Sequence, residues 1–115
     1  MHKLKLFRTQ NPDVETGAPP RVLSGNPQTR SWNHTADLND RLFTGIWEAT
    51  AGSWNVSYDE WEFCHIISGS AVIRDPLGNE IEVSAGDAFV IEPGFEGTWR
   101  VSEAISKHYV ILMPE

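Results

Sequence analysis

From Arg41 to the C-terminus, turn-forming residues interrupt the sequence about every eight to twelve positions, a spacing typical of short strands. Ser68-Gly69, Pro93-Gly94 and the run at residues 75–79 are the clearest turn signals. No segment keeps the apolar period of a helix. The sequence therefore predicts an all-β sandwich or small barrel, with strands at residues 42–49, 54–58, 60–67, 71–74, 81–84, 88–91, 98–102 and 105–112.

The first 40 residues have a different character. Prolines at positions 12, 19, 20 and 27 remove backbone donors and restrict their neighbours to extended geometry. We expect an N-terminal arm over residues 1–40, without a long helix or a central strand, that packs on the barrel domain of residues 41–115 or on a partner. Leu4 and Leu6 alternate with lysines, which predicts one short half-buried strand in the arm.

Charge and cysteine content exclude several classes of partner. Sixteen acidic and nine basic side chains give a formal net charge of -7, whereas nucleic acids and anionic membranes require a basic face. The one cysteine, Cys64, allows no internal disulfide and no cysteine-rich zinc site. Because no stretch has the apolar core of a secretory signal or the length of a membrane span, we expect a cytoplasmic protein.

Two stretches place acidic residues and glycines at characteristic spacings. Glu62 is followed after six residues by Gly69, and Gly86-Asp87 is followed by Gly94, eight residues after Gly86. Residues 60–69, 86–91, 97–99 and 107–109 resemble the small single-domain cupins related to (S)-ureidoglycine aminohydrolase. The resemblance implies a cupin-like (RmlC-like) double-stranded β-helix, a jelly-roll barrel whose interior takes one small ligand.

The sequence departs from this family at the metal site. Metal-binding cupins hold the ion with three histidines and a glutamate. The histidine positions are filled here by Val56 and Tyr58, or by Asn55 and Ser57 in the longer spacing, and by Gly97. Only Glu62 remains, and one carboxylate is too few for a transition metal. We therefore predict no cofactor, and the alternative is a metal site that combines Glu62 with a histidine from a bend or a partner chain.

Strand alternation sorts the residues around Glu62 into two faces. If Glu62 points into the barrel, Glu60, Cys64 and Ile66 share its face, and Tyr58 joins them if the strand runs straight through. In the alternative, Glu60 lies in a turn between Tyr58 and Glu62 and is solvated. Phe63, His65 and Ile67 then point outward, and because two of these three are large and apolar, this outer face needs a cover. A homodimer, with the arm exchanged between subunits, is our hypothesis for that cover.

The inward positions define a candidate pocket of aromatic and polar side chains. By the resemblance, the catalytic candidates are Glu62, Lys107 and Tyr109, and the substrate-binding candidates are Tyr58, Glu60, Cys64 and Trp99, with Trp47 or Trp54 near the rim. In the structural alternative, Glu62 and Lys107 form a buried ion pair without a chemical role. We expect Cys64 to be an inert thiol rather than a nucleophile.

The resemblance implies a hydrolase or aminohydrolase-like enzyme that acts on a small nitrogen-containing substrate. In this hypothesis Glu62 is the general acid or base, while Lys107 and Tyr109 position the substrate and stabilise developing charge. The alternative is a non-catalytic small-ligand binding or sensor module that uses the same pocket. The fold alone does not decide between enzyme and binder.

Overall fold

The computed structural model describes residues 3–9 and 13–115, and its regular structure is entirely β. The strands are β1 (Glu15–Gly17), β2 (Val22–Gly25), β3 (Thr29–Asp37), β4 (Leu42–Ala49), β5 (Gly52–Ser57), β6 (Trp61–Arg74), β7 (Glu80–Ser84), β8 (Ala88–Ile91) and β9 (Glu96–Leu112). The predicted all-β class is confirmed. These residues contain no helix that is long and apolar enough to cross a bilayer.

The strands join in one antiparallel sheet that curls into a half-barrel, with β9 at its centre. β6 lies along one side of β9, while β4 and β5 pair with the C-terminal and N-terminal halves of its other side. The sheet order is β1-β3-β4-β9-β5-β2, and β6 leaves this path to pair with β7 and β8. Because β6 and β9 are long and bent, their inner faces enclose the core.

Two pairs of predicted strands are each one long strand in the structure. Residues 60–67 and 71–74 are joined in β6, and residues 98–102 and 105–112 are joined in β9. The register shifts between Ile66 and Ala71, where Gly69 has a φ of 82°. A Cβ atom at Gly69 would overlap the carbonyl oxygen of Ala104, so glycine lets the strands stay paired through the bend. Ser68-Gly69 is therefore part of a bulge and not a chain reversal.

The N-terminal 40 residues contribute strands to the sheet. β3 lies between β1 and β4, so the expectation that this segment holds no central strand is wrong for residues 29–37. These residues follow Pro27 and contain no proline, which leaves every backbone donor free for pairing. The predicted half-buried strand at Leu4 and Leu6 is also wrong, because both side chains are exposed and unpaired. The division at residues 40 and 41 stays a prediction.

The core fills the inside of the curl with alternate residues from several strands. Its centre is Trp99, which is 1% exposed and stacks in parallel on Trp54 at a centroid distance of 6.4 Å. Its other buried members are Ala49, Cys64, Ile66, Ala71, Ile73, Val83, Ile91, Val101 and Ile105. Large aromatic rings thus occupy the end of the core where β4, β5 and β9 meet.

The outer face of the sheet is only partly covered. Phe7 from the N-terminal segment packs against His34 and His108 on this face. Ile67 and Val90 remain 39% and 46% exposed, which matches the predicted apolar outer surface. The homodimer that would cover them stays a prediction.

Candidate functional site

The candidate site lies on the inner face, where β4, β9 and β6 run side by side. Lys107 on β9 is directly opposite Trp47 on β4 and Ile66 on β6. Two residues further along each strand, Tyr109 is opposite Gly45 and Cys64. Strand alternation therefore brings residues of three distant segments to one wall.

A buried ion pair forms the floor of the site. The Lys107 Nζ atom donates to the Glu62 Oε2 atom at 2.8 Å, and the two residues are 4% and 5% exposed. The Cys64 thiol donates to the same carboxylate oxygen at 3.3 Å and receives a hydrogen bond from Lys107 at 3.4 Å. The inward orientation predicted for Glu62 and Cys64 is present, and so is the ion pair of the structural alternative.

Two indole rings hold the Lys107 ammonium group in place. Nζ lies 4.8 Å from the ring centroid of Trp47 and 4.9 Å from that of Trp99. Burial alone would favour the neutral amine, but the Glu62 carboxylate outweighs this effect and raises the pKa of Lys107. The π-faces of the indoles stabilise the same charged form. Lys107 is therefore a fixed cation at neutral pH.

The thiol and the phenol beside this pair are neutral. Burial raises the pKa of Cys64 to about 12, and the Glu62 carboxylate adds to the shift while Lys107 opposes it. Burial likewise raises the pKa of Tyr58 well above its ordinary value. Because the thiolate is the nucleophilic form, this environment gives Cys64 the character of a hydrogen-bond donor.

A cavity of about 400 Å³ opens in front of the ion pair. Seven of the residues singled out from the sequence line it, namely Trp47, Trp54, Tyr58, Glu60, Glu62, Trp99 and Lys107. Both contacts of the Glu62 carboxylate are made by Oε2, so Oε1 has no hydrogen-bond partner among the described residues. The cavity therefore combines aromatic walls with an unused carboxylate oxygen.

The residues that close the rim come from the arm and were missed by the sequence analysis. Pro19, Pro20 and Arg21 line the cavity beside the aromatic side chains. Arg21 reaches this position because its carbonyl group accepts a hydrogen bond from the Asn55 backbone at 3.1 Å. Local sequence patterns show that residues 1–40 are extended, but not which edge of the barrel they follow.

Tyr109 and Cys64 are inward but are not among the described residues that line the cavity. The Tyr109 hydroxyl donates to Asn33 Oδ1 at 2.8 Å. It also lies over Gly45, where a Cβ atom would be 2.7 Å away. Burial raises the pKa of Tyr109 to about 12. Tyr109 thus supports the wall from behind, and its catalytic role stays a prediction.

The donor atoms of a cupin metal site are not brought together. Val56, Tyr58 and Gly97 stand at histidine positions of the family pattern, and Glu62 is engaged by Lys107. His65 and His108 face each other on the opposite side of the sheet. Within residues 3–9 and 13–115, no group of three metal-ligating side chains is close enough to hold an ion. The expectation of no cofactor stays a prediction.

The family model of the EutQ-like cupin domain matches residues 38–109, more than half of the chain. The chain belongs to this cupin family. A comparison with the curated proteins finds no match. Family membership agrees with the curled sheet and confirms the predicted cupin fold, whereas the relationship to (S)-ureidoglycine aminohydrolase stays a prediction.

Solved structures show the same EutQ-like cupin fold. A DUF861 family protein of unknown function from Pseudomonas syringae is 24% identical, with a TM-score of 0.77 over 85% of this chain and 43% of that chain. A DUF861 family protein from Thermotoga maritima is 30% identical, with a TM-score of 0.55 over 56% of this chain and 73% of that chain. A Salmonella typhimurium protein assigned as ethanolamine utilization protein Q is 12% identical, with a TM-score of 0.69 over 97% and 94%. The present chain thus spans less than half of the Pseudomonas chain.

Proposed function

We propose that the cavity in front of Glu62 and Lys107 binds a small polar ligand that carries an N–H group, such as an amine, amide or urea. The uncommitted Glu62 Oε1 atom in an aromatic cavity is the observation that carries this proposal. The Oε1 atom is accessible from the cavity and accepts no hydrogen bond from the described residues, so a ligand N–H group would satisfy it.

The rest of the cavity favours the same ligand chemistry. Glu60 adds a second carboxylate, whereas the Lys107 ammonium is already satisfied by Glu62 and Cys64. The accessible acceptors at the floor are therefore carboxylates, while the free donors include the Arg21 guanidinium group at the rim. Indole walls favour flat or cationic groups, which gain from contact with the π-faces. A small nitrogen-containing molecule fits both properties.

Nuclear magnetic resonance can test binding with ethanolamine, glycinamide and urea as probes. Ethanolamine is included because it appears in the name of the Salmonella relative. We expect the indole N–H signals of Trp47, Trp54 and Trp99 to move on titration. The indole signals of Trp32 and Trp61, which do not line the cavity, are internal controls and should stay in place.

Two variants assign this binding to the carboxylate. Glu62→Gln keeps the shape but loses the charge, and binding should weaken about tenfold or more. Because this change leaves Lys107 buried without its partner, Glu60→Gln serves as a second cavity variant. Glu48→Gln is the matched control, since Glu48 pairs with Arg30 away from the cavity. Equal binding by all variants, or equal shifts of all five indoles, would contradict the proposal.

A second candidate function is an aminohydrolase-like reaction at the same cavity. The specific observation in its favour is the Glu62 carboxylate at the cavity floor, whose Oε1 atom can accept a proton and return it while Lys107 keeps its charge. Water would form a C–O bond to the carbon that carries the amine while the C–N bond breaks. Glu62 would take a proton from this water and pass it to the departing nitrogen, which leaves as ammonia. Ammonia release from (S)-ureidoglycine, lost in Glu62→Gln, tests this reaction. Release no faster than without protein would leave binding alone as the function.

A further inference from the structure

A second groove, outside the curl, contains three arginines. It has a volume of about 600 Å³ and runs over β5, the start of β9 and the β6–β7 hairpin. Arg21, Arg74 and Arg100 line it. They are three of the nine basic residues in a chain whose formal net charge is -7. One groove of an acidic protein thus holds a third of its basic side chains.

Sheet register fixes two of the three on the same face. Arg74 is opposite Thr98, and Arg100 is opposite Val72 and Ser53. Arg74 and Arg100 are therefore diagonal neighbours on adjacent strands, close enough for long side chains to reach one ligand. The two guanidinium groups repel each other, and an anion between them would relieve this repulsion. Glu80, opposite Arg74 on β7, relieves it in part.

Arg21 approaches the same groove in an unusual backbone conformation. Its φ is 54°, in the left-handed region that residues other than glycine seldom adopt. The hydrogen bond from the Asn55 backbone to its carbonyl holds this conformation. Strained backbone that is held in this way is often found at binding sites.

The three guanidinium groups keep their donors free. In the described part of the chain, none of them has an ion-pair or side-chain hydrogen-bond partner, whereas Arg30 is paired with Glu48. Glu80 and Glu96 also line the groove but contact none of the three. The third carboxylate, Asp75, is occupied by its own turn, where Leu77 and Asn79 donate to it.

The floor of the groove adds neutral donors. Ser53, Ser57 and Thr98 contribute hydroxyl groups, and Asn55 contributes an amide. Guanidinium forks and hydroxyl groups together match the geometry of phosphate and carboxylate oxygens. Glu80 and Glu96 repel anions, so a ligand must contact several arginines at once to overcome this repulsion. A small monovalent anion is too short to do so.

We propose that this groove binds a small molecule that carries a multiply charged oxyanion, held between Arg21, Arg74 and Arg100. The groove shares Arg21 with the rim of the cavity in front of Glu62 and Lys107, whereas Arg74 and Arg100 lie outside that cavity. The proposal does not depend on the function proposed for the cavity. Its oxyanion is a phosphorylated group or a polycarboxylate, since both present several charged oxygens to the same forks.

Calorimetric titration at low ionic strength with pyrophosphate and with citrate tests the proposal. The wild-type protein should bind at least one probe. The Arg74→Gln, Arg100→Gln double variant should bind it at least about tenfold more weakly, because it loses two charge-assisted contacts. Arg30→Gln is the matched control, because Arg30 is paired and lies outside the groove. Binding of pyrophosphate alone would identify a phosphate site, and binding of citrate alone a polycarboxylate site.

Three outcomes would overturn the proposal. The first is that neither probe binds, and the second is that the double variant binds as tightly as the wild-type protein. The third is an equal loss of probe binding in Arg30→Gln. This would show that the probe is an adventitious ion only, attracted by the surface charge in general. Since the three arginines are exposed, the variants should fold normally, and unchanged circular dichroism and amide spectra would establish this.

Discussion

β6 and β9 carry one pair of ionisable side chains on each face of the same two-stranded segment. Glu62 and Lys107 point inside the curl, while His65 and His108, directly opposite each other in register, point outside. Sequence neighbours thus reach two environments only because strand side chains alternate. Strand alternation decides which face each side chain occupies, and burial decides how its charge behaves.

The inner pair has a fixed charge. Its ammonium and carboxylate groups are almost fully buried and joined at 2.8 Å, with indole rings around the cation. Moving either charge into such a place alone would be strongly unfavourable, so each depends on its partner. A site of this kind offers a ligand the same electrostatic surface over a wide pH range.

The outer pair is joined by a hydrogen bond. The Nδ1 atoms of His65 and His108 lie 3.3 Å apart, and the ring planes are nearly parallel. The ring centroids are 5.5 Å apart. One proton can bridge them, whereas two would oppose each other. Burial and the nearby His65 lower the pKa of His108.

The largest expected effect comes from breaking the inner pair. Lys107→Met leaves the Glu62 carboxylate buried without its partner, so the free energy of unfolding should fall by about 3–5 kcal/mol. Denaturant unfolding measures this change. The double variant Glu62→Leu with Lys107→Met removes both charges and should regain most of the lost stability. A double variant as unstable as the single variant would mean that the cost comes from packing and not from charge.

A second prediction concerns the thiol beside that pair. With a pKa of about 12, Cys64 should have a thiolate fraction about a thousandfold lower than that of a free cysteine at pH 8. Iodoacetamide should therefore modify the native protein very slowly and the unfolded protein readily. Mass spectrometry over time measures both rates. Rapid modification of the native protein would contradict the closed environment described for the inner face.

The wall behind the cavity should tolerate a smaller change. Tyr109→Phe removes the hydrogen bond to Asn33 but keeps the ring, and it should lower the free energy of unfolding by about 1 kcal/mol. Probe binding in the cavity should persist, because the hydroxyl lies outside the lining. Loss of binding with unchanged stability would instead place this hydroxyl among the ligand contacts.

The smallest effect is expected on the outer face, as a pH dependence. Because the pKa of His108 is lower in the folded state, the unfolded state binds more protons as the pH falls. The free energy of unfolding should therefore decrease below about pH 6.5, the ordinary pKa of histidine, by well under 1 kcal/mol for this largely exposed group. His108→Gln should flatten the pH profile. An unchanged profile would show that the outer pair does not respond to pH.

The sequence predicted the elements that depend on local chemistry. The segment at residues 42–49 coincides with β4 and that at residues 88–91 with β8, because both are apolar runs between turn residues. Alternation alone was enough to place Glu62 and Cys64 inside. Trp99 follows from the same pattern and from the cupin motifs. Tyr58 and Glu60 also line the cavity, but they lie in the connection between β5 and β6, where strand alternation does not apply.

The features that the sequence did not predict depend on contacts between residues that are distant along the chain. The bend in β6 depends on the closeness of Gly69 to Ala104, which no local pattern reports. The contact between Tyr109 and Asn33 joins residues 76 positions apart and requires β3. This strand was not predicted because it lies in the proline-rich arm. Arg21 lies at the rim for the same reason. Partners from distant segments thus define the site as much as the motif residues do.

A crystal structure of the protein soaked with ethanolamine and, separately, with glycinamide tests the central claim most directly. The ligand nitrogen should lie in the cavity, within hydrogen-bond distance of the Glu62 Oε1 atom. The Lys107 contact to Oε2 should remain. A cavity that holds only water under these conditions, or a ligand bound away from Glu62, would contradict the account.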